Sequence, residues 1–305
     1  MAGASWQSGP RDQTQPAGPY IMKSLFASRL LNAATLGRVK YGWYDSAFRS
    51  NSPAIFSGAS PRSGTTLLYS LLNAHDNIFV ALETGLMSGA RNLERIHGRT
   101  NLPVAELRRL YRRSSCYAEF TENVLSRLAG DAGKRRWGDK SPVNVTLIGG
   151  IFRYFPNARF IHIVRDGRDA VCSIRQHPPS FGNRYDINPW DKSIELWESW
   201  TRQGLAWRQD PRYFEIRYES LVNEPQRTLA QLFQWLGEPW QEDVLFKAKS
   251  TRVGSHPGIS RPINKGSHGV WRKKLPQQAR ELFSGSANDL LVELGYVEDD
   301  VWIRG

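Results

Sequence analysis

The run Ser57-Gly58-Ala59-Ser60-Pro61-Arg62-Ser63-Gly64-Thr65-Thr66-Leu67 constrains this chain more than any other stretch. A phosphate-binding loop of the G-x-x-x-x-G-K-[ST] kind joins a buried strand to a helix. Here Gly58 opens such a loop, but Ser63-Gly64 stand where Gly-Lys would be, followed by Thr65-Thr66. Pro53-Ala54-Ile55-Phe56 before it is short and apolar enough for a buried strand. From Thr65 to Leu72 the apolar residues recur at helical spacing. The frame predicts strand, loop and helix, with backbone N–H groups and the helix N-terminus cradling an anion. What is missing is the lysine that reaches the β/γ-phosphates of a nucleoside triphosphate, so the expected nucleotide is neither ATP nor GTP.

Around this loop, residues 53–240 alternate strand and helix patterns, the signature of a mostly parallel sheet. Asn77–Val80 reads as a short strand and residues 104–129 as helical. Ala158–Val164 is the strongest strand pattern and ends at Arg165-Asp166-Gly167, with a helix through Ala170 to Arg175. A Pro/Gly/Asn-rich stretch, 177–190, is long enough for a lid or acceptor loop. A helix over about 191–208, a strand Tyr213–Tyr218 and a helix Pro225–Leu236 follow, then an ordered Gly/Ser/Pro/Lys-rich loop around 250–275. The expected organisation is a disordered residue 1–20 segment, a basic amphipathic lead-in over 21–50, and one domain over 51–305. Within the lead-in, residues 21–40 carry Met22, Leu25, Phe26, Leu30, Ala33 and Leu36 among Lys23, Arg29, Arg38 and Lys40. That pattern fits a helix packed on the domain, a membrane-surface helix, or a partner-binding or targeting segment.

The balance of 41 basic to 29 acidic side chains gives a formal charge of +12. Nucleic acid, anionic lipid or acidic small molecules could each account for such a charge. No nucleic-acid-binding motif accompanies it, and scattered arginines favour an anionic cofactor or substrate. Cys116 and Cys172 are the only cysteines, too few for a disulfide framework, and free thiols fit a reducing compartment. No window reaches the length of a membrane span, and the polar first 20 residues lack a secretory pattern. The expectation is a soluble, cytoplasmic protein.

Read beside the first loop, Arg159-Phe160-Ile161-His162-Ile163-Val164-Arg165-Asp166-Gly167-Arg168-Asp169-Ala170-Val171-Cys172-Ser173 makes the chain resemble the sulfotransferases that use 3′-phosphoadenosine 5′-phosphosulfate. Pro61–Leu67 is similar to that family's 5′-phosphosulfate loop, which implies donor contacts from Arg62, Ser63, Gly64, Thr65 and Thr66. Arg165 at the strand end and Ser173 eight residues later match the family's 3′-phosphate pair in type and spacing. Arg217-Tyr218-Glu219-Ser220-Leu221 resembles the segment whose tyrosine lies near the adenine. Lys265-Gly266-Ser267-His268-Gly269-Val270-Trp271 resembles the late loop that closes over the 3′-phosphate, with Asn264 where an arginine is often found. The resemblance spans roughly residues 53–275 and implies an α/β, P-loop-containing nucleoside triphosphate hydrolase-like three-layer fold with a central mostly parallel sheet. It implies the nucleotide phosphosulfate as co-substrate, 3′,5′-adenosine bisphosphate as product, and no metal.

The chemistry of the residues agrees. A donor with two separated phosphate groups needs two anion sites on one sheet; an arginine grips a phosphate bidentately, and a serine adds a hydrogen bond. Sulfuryl transfer asks for in-line geometry, neutralisation of the leaving phosphate and a base for the acceptor hydroxyl. Glu83, in Ala81-Leu82-Glu83-Thr84-Gly85, resembles the proposed base of tyrosylprotein sulfotransferases; a helix cap or an arginine partner is the other reading. Lys140, in Trp137-Gly138-Asp139-Lys140-Ser141-Pro142, resembles the lysine that stabilises charge on the leaving phosphate or sulfuryl group. Arg62 matches the arginine of the protein- and carbohydrate-acting branches, with a planar fork for sulfuryl oxygens. The K-T-H motif of cytosolic small-molecule sulfotransferases is absent, and His75 and His162 read as packing or surface residues.

The expected acceptor is a hydroxyl on a peptide tyrosine, a saccharide or another bulky molecule. Trp190, Trp197, Trp200 and Trp207 read as core, with sugar or aromatic stacking as the alternative. A P-loop kinase or nucleotidase, and a non-catalytic nucleotide-binding protein on the same fold, are the competing functions.

Overall fold

The computed structural model describes residues 47–89, 92–176, 189–250 and 265–304. The lead-in over 21–40, nearly all of the 177–190 loop, and residues 251–264 lie outside them. The frame is a five-stranded, all-parallel sheet. Its strands are β1 (Ile55–Gly58), β2 (Ile78–Leu82), β3 (Arg136–Lys140), β4 (Arg159–Val164) and β5 (Tyr213–Arg217), in the order β2-β3-β1-β4-β5. Each pair of sequential strands is joined through helix, as parallel pairing requires. The connections leaving β1 and β3 run to opposite sides of the sheet. The crevice they leave beyond the strand C-termini is where doubly wound sheets take ligands.

Alternation of side chains along the strands builds two cores. Phe56, Ala81, Trp137 and Phe160 face one way, packing on Phe120, Val124 and Leu125 of a helix over Tyr117–Asp131 and on Ile148 and Ile151. Ile55, Ile78, Val80, Ile161 and Ile216 face the other way, against Leu68, Leu71 and Leu72 of α1 (Thr65–Ala74) and Leu229, Leu232 and Phe233. This is the three-layer α/β arrangement expected. A third cluster joins Val164 to Ala170 and Val171 of α2 (Gly167–Gln176) and Trp197 of α3 (Trp190–Leu205). Short helices between Trp271 and Arg304, absent from the sequence reading, supply Trp271, Leu290 and Leu291 to that cluster, and the turn after Glu281 supplies Phe283.

Two further differences have local causes. The helix expected over 104–129 is two, Val104–Arg113 and Tyr117–Asp131, because Ser114 and Cys116 take extended conformations. The Ser115 N–H and hydroxyl then donate to Glu119 in the first turn of the second helix. β3 was not expected as a strand at all, since Arg136, Asp139 and Lys140 break its apolar pattern; all of its residues are buried. Its charges are met locally: the Arg136 guanidinium donates to the Pro53 and Leu236 carbonyls, and Lys140 pairs with Glu83. Among the described residues no helix is long and apolar enough to cross a membrane.

Candidate active site

All five strand C-termini deliver a candidate residue to one edge of the sheet. Gly58 opens the loop after β1, Glu83 follows β2, Lys140 ends β3, Arg165 follows β4, and Tyr218 follows β5. The loop after β1 is shaped by close approach. A Cβ on Gly58 would lie 2.4 Å from the Val145 amide nitrogen. Arg62 and Gly64 both take left-handed backbone, φ 66° and 98°, the turn that aims successive N–H groups inward as an anion nest. At Gly64 a Cβ would sit 2.3 Å from the Tyr218 ring, so only glycine fits. Gly64 caps α1 with no side-chain hydrogen bond, and the first turn, opening with Thr65 and Thr66, holds no acidic residue. Its N–H groups and the positive end of the helix dipole are therefore presented to a ligand. Ser63 and Thr65 are buried under this turn.

Arg165 is the hub of a second cradle. Its Nη1 donates to the Arg62 carbonyl at 2.7 Å and its Nη2 to the Ser267 carbonyl at 2.5 Å. The guanidinium lies over the Tyr218 ring, 4.4 Å from its centroid, and its buried Nε has no hydrogen-bond partner. Arg62 Nε donates to the Ser173 hydroxyl at 3.1 Å, and the Tyr218 hydroxyl bonds to Ser267 Oγ. Four segments far apart in sequence thus converge, and Arg62, Arg165, Ser173, Tyr218 and the Lys265–Ser267 turn form one cluster. Gly266 is exposed in that turn; the Lys265 side chain lies outside what the structure describes.

Asp169, to which the sequence reading gave no role, fixes the late segment. Its fully buried carboxylate accepts the Gly269 N–H at 2.7 Å and the Trp271 N–H at 2.9 Å. The signal in the sequence was an acidic residue at the third position of the helix, directly before Ala170-Val171, but nothing local named its distant partner. Arg168 braces the same junction, paired with Asp166 at 2.7 Å and lying 3.9 Å from the Trp271 ring centroid.

At the other end of the crevice Lys140 Nζ donates to Glu83 Oε1 at 2.7 Å, with the lysine side chain fully buried and the glutamate 32% exposed. Glu83 has φ 48°, a conformation that side chains other than glycine rarely adopt. Its N–H donates to the Lys140 carbonyl at 2.7 Å, extending the β2–β3 ladder by one step. Burial pushes the Lys140 ammonium pKa down, opposed by Glu83. The Arg62 guanidinium is lowered by burial and then by Arg165, while Glu83 raises it. Neighbouring cations and a half-dry crevice thus make a site that an anion would relieve.

Other candidates are structural. His162 is fully buried, its Nδ1 2.6 Å from the Tyr213 hydroxyl, with burial pushing its pKa down to about 3. His75 is buried with Nε2 2.9 Å from the Pro239 carbonyl. Both cysteines are free and buried, and burial pushes the Cys172 thiol up to about 12. The four tryptophans share no single face: Trp190 and Trp197 pack in the third cluster, Trp200 and Trp207 against the first core. That is the core role expected.

A family model described as the sulfotransferase family matches residues 53–242. Protein-tyrosine sulfotransferase 1 of Homo sapiens is 26% identical over 271 residues, covering 82% of this chain and 71% of its own. The protein-tyrosine sulfotransferase of Drosophila melanogaster is 25% identical, covering 75% of this chain and 49% of its own. Among solved structures, the sulfotransferase domain of the Synechococcus PCC 7002 olefin synthase superposes with a TM-score of 0.60 at 22% identity, over 79% of this chain and 96% of that domain. The matched span holds the loop after β1, the Glu83–Lys140 pair and the Arg165–Ser173 cradle, and the chain belongs to the sulfotransferase family.

Proposed function

We propose that this sulfotransferase moves a sulfuryl group from 3′-phosphoadenosine 5′-phosphosulfate to the hydroxyl of a peptide tyrosine. The observation that carries the donor assignment is Arg165, whose guanidinium ties the first loop to the late segment and keeps a buried Nε without a partner. A buried guanidinium donor left unmade is costly, and a phosphate oxygen would satisfy it. The residues fit the donor: Arg165, Ser173 and Ser267 for the 3′-phosphate, the Tyr218 ring beside the base, and the Arg62–Thr66 turn with the α1 N-terminus for the 5′-phosphosulfate. The relatives named as protein-tyrosine sulfotransferases support a tyrosine acceptor.

Transfer is an in-line displacement. The acceptor oxygen forms a bond to sulfur as the bond from sulfur to the 5′-phosphate oxygen breaks, and that phosphate leaves with the electron pair. Glu83 takes the hydroxyl proton, and Lys140 and Arg62 offset charge gathering on the leaving and transferring oxygens. Holding the carboxylate and the ammonium 2.7 Å apart keeps base and electrophile at the same end of the crevice.

The test pairs calorimetry with labelling. 3′,5′-Adenosine bisphosphate should bind at least tenfold tighter than Mg²⁺–ATP, and the ³⁵S-labelled donor should label a tyrosine peptide but not its phenylalanine counterpart. Tighter ATP binding would favour a phosphotransferase and sink the donor assignment; label appearing only on saccharides of a host lysate would sink the acceptor.

A further inference from the structure

A second fully buried charge near the reaction edge hydrogen-bonds to none of the groups assigned above. Asp139 is fully buried, and as the neighbour of Lys140 on β3 it points to the opposite sheet face. Its Oδ1 accepts the Thr84 hydroxyl at 2.6 Å; its Oδ2 accepts the Ser141 hydroxyl at 3.0 Å and the Asn144 amide at 2.9 Å. Asn144 also reaches the Ser57 carbonyl at 3.3 Å, so one carboxylate gathers the ends of β1, β2 and β3. The Thr84 hydroxyl in turn accepts the Leu86 N–H at 3.2 Å, fixing the chain directly after Glu83.

Glu83 needs that restraint. Its left-handed backbone, φ 48°, is strained for a residue with a side chain and persists only when the surroundings impose it. It is pinned on one side by its own N–H on the Lys140 carbonyl, and on the other by Thr84 held on Asp139. The carboxylate that pins Thr84 lies one residue before the lysine that Glu83 pairs with.

We propose that Asp139, acting through Thr84, is a positioning residue for the transfer reaction, holding Glu83 in its strained conformation at a fixed distance from Lys140. The inference rests on the reading of Glu83 as the base. Burial pushes the Asp139 carboxyl pKa up, and its three donors oppose the shift. Every neighbour that it engages is a donor, the set an ionised carboxylate requires.

Thr84→Val is the informative variant, because it deletes the hydroxyl at nearly constant volume. Its kcat should fall roughly 10–100-fold, the scale of a misplaced reacting group, with the KM for the nucleotide donor changed less than twofold. Thr84→Ser should restore the rate. The same substitution placed in Glu83→Gln should cost less than twofold more, because the base through which Thr84 acts is already gone. Label transfer from the ³⁵S donor to a tyrosine peptide, and in parallel to whole host lysate, supplies the rates, and calorimetry with 3′,5′-adenosine bisphosphate checks the fold. If Thr84→Val melts below assay temperature, Thr84→Ala and Asp139→Asn are put through the same cycle. An unchanged kcat, or an equal loss in the wild-type and Glu83→Gln backgrounds, overturns the positioning role. A Glu83→Gln enzyme with full activity instead overturns the base itself, a separate and recognisable failure.

Discussion

Lys140 is a fully buried cation whose ammonium is held by a carboxylate that is one-third exposed, and that asymmetry makes the two ends of the pair respond differently to removal. Glu83→Ala strands the ammonium in a dry site, a situation that costs about 3–5 kcal/mol when a buried pair loses one partner. Lys140→Met replaces the buried charge with an unbranched apolar chain and leaves a glutamate that water can reach. Urea denaturation should therefore show Glu83→Ala destabilised by about 3 kcal/mol and Lys140→Met within about 1 kcal/mol of the parent. Both variants should lose transfer activity, Lys140→Met by roughly 10²–10³-fold for a lost electrostatic stabiliser. The pH dependence carries a sign. Burial lowers the folded-state pKa of Lys140, and removing Glu83 lowers it further. The unfolded state then binds more protons, so the Glu83→Ala deficit narrows as pH rises. A deficit that stayed constant with pH would mean that a second counter-charge, such as the neighbouring Asp139 carboxylate, keeps the ammonium protonated without Glu83.

Between the elements, the late segment is held to α2 by two N–H bonds to Asp169, and Arg165 touches that segment through Ser267. Asp169→Asn keeps one acceptor oxygen and turns an amide donor on the other N–H. Loss of one such bond, about 1 to 1.5 kcal/mol, should weaken 3′,5′-adenosine bisphosphate by roughly 5–12-fold in calorimetry. The kcat at saturating donor should stay within twofold, because Asp169 lies away from the Glu83–Lys140 end; a kcat effect larger than the affinity effect would sever the clamp from donor binding. What was legible in the sequence follows the same geography. The loop after β1 and the β4–α2 junction could be read because each follows a mostly apolar strand, Ile55-Phe56 in one and Phe160–Val164, broken only by His162, in the other. β3 could not: Arg136-Trp137-Gly138-Asp139-Lys140 is buried through partners on Pro53, Leu236, Thr84 and Glu83. Local pattern carries no trace of those contacts. The helices after Trp271 escaped for a related reason, since elements of four to eight residues are too short to display a period.

Across the whole molecule, the sheet works as a ruler: residues from 58 to 218 reach one edge because five parallel strands end together. His162 sits inside that ruler, on β4, against Gly204, where a Cβ would come within 2.3 Å of the imidazole. The ring is sealed in neutral form, with a folded-state pKa near 3 against about 6.5 for a histidine in an unfolded chain. A depressed folded pKa means that the unfolded state takes up the proton first as pH falls. The contribution of His162 is therefore intact above about pH 6.5 and is lost progressively toward pH 3, at about 1.4 kcal/mol per unit. Carboxylates add their own acid sensitivity, so the difference between two proteins isolates the ring. His162→Gln will be less stable at neutral pH through lost packing. Its stability should nevertheless fall less steeply than the parent's in urea titrations at pH 6.5, 5.5 and 4.5, the curves converging by about 1.4 kcal/mol per unit. Parallel curves would mean that the imidazole can accept its proton without opening the sheet, and the core around β4 would then have to admit water.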